Sequence, residues 1–290
     1  MKPLWRSDDR REQFPGVPAW GAPASRIAPL EFPVIGLGEI SPEWAWGGAD
    51  GAGVRVCVVD TGIHAAHPLV GHVDQSMTVD LSGREPRIKP VEATDPAGHG
   101  TACAGIIRSL APMASISSMR VLTDSIGGTG NALIAGLEWA ISEGFDVINM
   151  SLSTTRPEFC LALYELADKA YFRRTTLVVS AHNMPVRSFP WPYASVISVA
   201  SHDQPEPFLH YYNPKPPVEF HARGVRVPVA WPNGGQVRST GNSYAAPHIT
   251  GICALILGKH PWLTPFQLKT VLYLTAHNVR TAAGDGHANA

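Results

Sequence analysis

Short runs of β-branched and apolar residues, each ending in a polar residue, alternate along this chain with segments of helical periodicity. "VRVCVVD" (residues 54–60) is the clearest of them. A continuous run of this kind suits a strand buried on both faces, as in a parallel sheet. "SISSMRVL", "FDVINMSLS", "TTLVVSAHN" and "ASVISVAS" read as further strands. Between them, "GHGTACAGIIRSL", "NALIAGLEWAISEG" and "EFCLALYELADKAYFRR" carry helical spacing, and "ITGICALIL" reads as a buried helix. "TPFQLKTVLYLTAH" is predicted as a last helix, with Thr264 as its cap and Pro265 in its first turn. The alternation predicts an α/β fold: a three-layer, mostly parallel β-sheet with helices on both faces. At 290 residues and 44% hydrophobic composition, the chain can bury a sizeable core.

Residues 1–34 break the pattern. Their prolines, in "FPGVPAWGAPASRIAPLEFP", favour extended backbone, so an N-terminal arm is expected, a strap or a short pro-segment. A single globular domain is expected over 35–280, and a flexible tail over 281–290. Lys and Arg number 23 against 24 Asp and Glu, which gives no electrostatic case for a nucleic-acid or membrane partner. The N-terminus is charged where a secretory signal would be apolar, and no apolar run is long enough to span a bilayer. The four cysteines are widely spread and form no CxxC pair. A cytoplasmic protein with reduced, mostly buried thiols is the expectation.

In such sheets, functional groups collect outside the carboxyl ends of the strands. Asp60, Ser151 and Asn183 follow strands there, while His99 and Ser243 open helices. Ser243, in "STGNSYAAPH", reads either as a helix cap or as a nucleophile. His99 lies between two glycines and reads either as a surface histidine or as a general base. Asp60 is either a turn acceptor or the partner of an imidazole, and Asn183 either a turn residue or an oxyanion donor.

Taken together, "VCVVDTGIHAAHP", "GHGTACAGII" and "STGNSYAAPHITG" resemble the aspartate, histidine and serine blocks of the subtilisin-like serine proteases, in that family's order. The intervening segments are similar too, over roughly residues 38–277. The resemblance implies a subtilisin-like fold and a serine endopeptidase acting through an acyl-enzyme. It implies Asp60 as orienter, His99 as base, Ser243 as nucleophile and Asn183 as oxyanion donor, aided by the Ser243 backbone N–H. It also implies an extended peptide or protein substrate held by Ser125, Ile126, Gly127 and Gly128 on one side and Ser151, Leu152 and Ser153 on the other. Ser180, Ala181 and His182 are expected to complete the pocket. The expected role is processing of a specific peptide or protein inside the cell, with the arm in or near the cleft. A transpeptidase or macrocyclase with the same triad, and a degenerate peptide-binding relative, are the alternatives. An α/β-hydrolase, suggested by "GNSYA", orders its triad differently and has too little chain left after Ser243.

The chain departs from the family pattern at defined places. His182 stands where glycine is usual, and Ser188 where a pocket-floor glycine is common, so the sequence names no preferred substrate residue. Asn242 and Tyr244 replace the usual threonine and methionine. "IIRSLAPMAS" omits a common calcium-binding insertion, and Leu69 replaces an aspartate, so no metal is expected at that common site; calcium elsewhere stays open. His64, His67 and His72 lack the acid or thiolate that would complete a zinc motif.

Overall fold

The computed structural model describes residues 39–122, 128–215 and 217–279, so the expected arm and tail lie outside the described residues. In chain order the elements are α1 (Pro42–Trp46), β1 (Arg55–Asp60), β2 (Ser76–Asp80), β3 (Arg87–Pro90), α2 (His99–Leu110), β4 (Ser115–Arg120), α3 (Gly130–Ser142), β5 (Val147–Met150), α4 (Cys160–Phe172), β6 (Thr176–Ser180), β7 (Ile197–His202), β8 (His210–Tyr212), β9 (Phe220–Arg223), β10 (Val227–Trp231), β11 (Gly235–Ser239), α5 (Asn242–Lys259) and α6 (Pro265–Leu274). Nine strands form one sheet in the order β3-β2-β4-β1-β5-β6-β7-β9-β8. Pairing is parallel from β2 to β9. Only the outermost strands, β3 and β8, run antiparallel to their neighbours. β10 and β11 form a separate hairpin.

The five strands read from the sequence are the central ones, where burial on both faces leaves an apolar run. β2 and β3 have half-buried or exposed side chains and no such run, which is why the pattern did not reveal them. Strand periodicity sorts the layers. Val56 and Val58 of β1 pack with α2 and α5, while Cys57 and Val59 pack with α3 and α4. Asp60 shares the parity of Val56 and Val58, so its carboxylate turns toward the α2 and α5 layer. The same rule turns Asn149 and Ser151 of the β5 segment, and Ser180 of β6, to that side.

α5 crosses this face as a helix buried along most of its length. Its apolar surround is interrupted by one polar thread. Thr250 Oγ1 donates to Asn149 Oδ1 (2.9 Å), Asn149 Nδ2 donates to Ser151 Oγ (3.0 Å), and Ser151 Oγ donates to the Ser243 carbonyl (2.8 Å). The thread fixes the start of α5 against the end of β5. α6 starts as expected, with a reciprocal pair of hydrogen bonds between Thr264 and Gln267.

Replacing Thr250 by Val keeps the side-chain shape and strands the buried Asn149 oxygen. Urea unfolding is expected to show a loss of about 1–3 kcal/mol; an unchanged midpoint would show that the thread does not hold the helix.

Candidate active site

Asp60 is fully buried at the end of β1, and a buried carboxylate must be matched by donors. The Thr61 N–H donates to its Oδ1 (2.7 Å), and His99 Nδ1 lies 2.8 Å from Oδ1 and 3.0 Å from Oδ2. That pairing makes Nδ1 the protonated ring nitrogen and leaves Nε2 as the free base. His99 is the first residue of α2. It is buried, unlike the surface histidine that was one reading of its glycine flanks. The glycines serve the backbone instead. Gly98 has φ of +82°, and a Cβ at Gly100 would collide with the Gly62 carbonyl oxygen. The helix can therefore start directly against the end of β1.

Asp95, which the sequence reading missed, holds that helix start. Its Oδ1 accepts from the Gly98 N–H (2.8 Å) and its Oδ2 from the Thr101 N–H (2.8 Å) and hydroxyl (2.7 Å). An Asp three residues ahead of the glycine is the signal that could have marked it.

Ser243 is the second residue of α5 and does not cap it. Gly241 occupies the cap position, and no side chain bonds there. N–H groups in a first helical turn lack intrahelical acceptors, so the Ser243 N–H is available to an anion. Asn183 lies alongside, three residues beyond β6. Its Oδ1 accepts from the Asn242 N–H (2.9 Å), which leaves the Nδ2 end as the donor. Asn242 is itself tied down, donating through Nδ2 to the His182 carbonyl (3.2 Å) and accepting from the Ser201 N–H (2.9 Å). The Tyr244 ring sits 5.6 Å from the His99 ring, tilted by 49°.

His99, Ser243, Tyr244 and Asn183 line one cleft of about 600 Å³. Gly128, Ser151, Leu152, Ser153, Ser180, Ala181 and His182 line it too, so these expected substrate positions are brought together. Ser125, Ile126 and Gly127 lie outside the described residues. Ser243 and His99 share the cleft without a direct hydrogen bond, a contact that commonly tightens only once substrate is bound.

Asp60, His99 and Cys103 are the one group of side chains among the described residues with metal-ligand atoms close together, within 4.8 Å. They fit a metal poorly. Burial, reinforced by the Asp60 charge, pushes the Cys103 thiol well above its ordinary range, so the thiolate a metal needs is disfavoured. His64, His67 and His72 do not converge: both ring nitrogens of His67 are engaged, by the Gly235 carbonyl and the Leu69 N–H, and His72 pairs with Asp74.

A three-layer sheet with a hydroxyl, an imidazole and a buried carboxylate at one mouth defines a class of serine hydrolase. The family model described as "Subtilase family" matches residues 51–290. Subtilisin DY of Bacillus licheniformis is 33% identical over 88% of this chain and 93% of its own length. Subtilisin E of Bacillus subtilis is 32% identical over 79% of this chain, which spans 62% of that protein. A solved structure of a cold adapted subtilisin-like serine proteinase superposes with a TM-score of 0.64 at 27% identity, covering 77% of this chain and 81% of that one. The chain belongs to the subtilase family, the subtilisin-like serine endopeptidases.

Burial pushes the His99 pKa down. The Asp60 charge and hydrogen bond, with a smaller contribution from Asp95, outweigh it and leave the ring above its ordinary value of 6.5. This pair therefore stabilises the fold fully below about pH 6.5, and the contribution is lost as pH rises through the raised value. Imidazole NMR is expected to give a His99 midpoint above 6.5, falling in Asp60→Asn; a midpoint unmoved by that substitution would contradict the pairing.

Proposed function

We propose that the protein hydrolyses peptide bonds through Asp60, His99 and Ser243. The observation that carries this reading is the buried Asp60–His99 hydrogen bond, 2.8 Å long, beside a serine at the start of α5 in the same cleft. Ser243 Oγ attacks the peptide carbonyl carbon as His99 Nε2 takes its proton. Asp60 holds the imidazole and offsets its new charge. The oxyanion is met by Asn183 Nδ2 and the Ser243 N–H. Collapse breaks the C–N bond, His99 returns the proton to the leaving amine, and the acyl group stays on Ser243. Water, deprotonated by His99, then attacks the ester and releases the acid.

The substrate on this reading is an extended peptide. Backbone at 125–128 and 151–153 would pair with its main chain, a recognition mode indifferent to side-chain identity. A reducing compartment fits the cysteines: Cys57, Cys103, Cys160 and Cys253 are unpaired, and all but Cys160 are buried. Among the described residues, no helix is long and apolar enough to cross a membrane. The common calcium site of the family does not fit this chain. Four residues, Ala111–Ala114, join α2 to β4, and the Leu69 side chain supplies no oxygen.

A fluorophosphonate probe is expected to label the wild type at Ser243 and to leave Ser243→Ala unlabelled; labelling at another serine would overturn the assignment. Asn183→Ala is expected to lower kcat by about 10²–10³-fold with KM little changed. A rise in KM at constant kcat would instead make Asn183 a substrate contact. Products read by mass spectrometry should carry new free carboxyl termini; cyclised or amine-joined products would point to transfer rather than hydrolysis.

A further inference from the structure

Which side chain the cleft accepts next to the scissile carbonyl follows from how two neighbouring strands end. β5 and β6 are adjacent and parallel, in register at Met150 and Val179. Their continuations, Ser151–Thr154 and Ser180–Asn183, leave the sheet side by side and form the two walls of a slot beside Ser243 and Asn183. A residue whose carbonyl sits at Ser243 Oγ and Asn183 Nδ2 sends its side chain into that slot.

The slot has little depth. Thr154 and Phe189 exchange a pair of backbone hydrogen bonds, each 2.9 Å, which zips one wall to the segment that follows the other. Immediately inside this zip, Ser153 Oγ donates to Ser188 Oγ (3.1 Å), and Trp191 Nε1 donates to the same Ser188 oxygen (2.8 Å). Ser188 has no exposed surface, and Ser180, Ser151 and Ala181 keep only 4%, 6% and 7% of theirs. A floor residue of an open pocket would be bathed by solvent in the free protein; this one is covered. His182, at the rim, accepts the Met184 N–H at its Nδ1 (3.0 Å) and so folds over its own turn. No charged group stands in the slot to receive an ionised side chain, and both hydroxyls at its end already have partners.

We infer that the pocket selects a small uncharged side chain (glycine, alanine or serine) at the residue that donates the scissile carbonyl, with Ser153 and Ser188 as the residues that limit it. A larger side chain would have to part the Ser153–Ser188 hydrogen bond and the Thr154–Phe189 pairing, or stay outside and misplace its carbonyl. Shape exclusion of this kind separates substrates by tens to hundreds of fold, enough to dominate selection. The inference rests on the proposed role of Ser243.

The test is a set of peptides that differ only at that residue, assayed with the wild type and with Ser243→Ala as control. Alanine, glycine and serine peptides are expected to exceed phenylalanine, leucine, glutamate and lysine peptides by about tenfold or more in kcat/KM. The double variant Ser153→Gly/Ser188→Gly should raise the phenylalanine-to-alanine ratio by about tenfold or more, with fluorophosphonate labelling as the check that it folds. If the double variant does not label, the wild-type profile decides alone. Wild-type cleavage that is fastest after phenylalanine or leucine, yet lost in Ser243→Ala, overturns the small-residue inference and leaves the hydrolase reading standing. Cleavage and labelling that survive in Ser243→Ala overturn both.

Discussion

A carboxylate with no access to water sits at the end of the central strand, and the arrangement around it answers the need to satisfy that charge. Asp60 receives one backbone N–H and one imidazole N–H. The imidazole arrives because α2 begins at His99 and because Gly100 lets the helix lie against Gly62. Asp95 fixes the helix start from the other side. Removing the Asp60 charge would leave a buried imidazole free to choose either tautomer, and Nε2 would lose its standing as the base.

The opposite side of the cleft is organised by hydrogen bonds, not by charge. Asn242 joins three chain exits: the His182 carbonyl after β6, the Ser201 N–H within β7, and, through its own N–H, the Asn183 side chain. The thread from Thr250 through Asn149 and Ser151 holds the Ser243 carbonyl. Ser243 is thus gripped through its backbone while its hydroxyl and N–H remain for substrate. A preorganised site of this kind needs no rearrangement as charge develops.

Much of this was legible in the sequence, for physical reasons. Strands buried on both faces must be apolar throughout, so "VRVCVVD" and its counterparts stood out, and the polar residues ending them marked the mouth. Asp60, His99, Ser243 and Asn183 were found that way, in a family order that single residues could not supply. Edge strands β2 and β3 left no trace, because half-exposed strands need no continuous pattern. Ser243 looked as much like a cap as a nucleophile until Gly241 proved to hold the cap position. Asp95, Asn149 and Thr250 were invisible, since their partners lie on other elements and only the folded chain brings them together. The same holds for Ser188. Its identity showed a departure from glycine, but only the pairing with Ser153 and Trp191 shows what the departure does to the pocket.

The central claim is that Ser243, the Asp60–His99 pair and Asn183 meet on one tetrahedral centre. A crystal structure with a peptidyl boronate tests it most directly. The account predicts boron bonded to Ser243 Oγ, one boronate oxygen within about 2.7–3.1 Å of both Asn183 Nδ2 and the Ser243 nitrogen, and His99 Nε2 hydrogen-bonded to the adduct while Nδ1 stays on Asp60. An adduct on another residue, or an Asn183 amide turned away from the boronate oxygen, would contradict it.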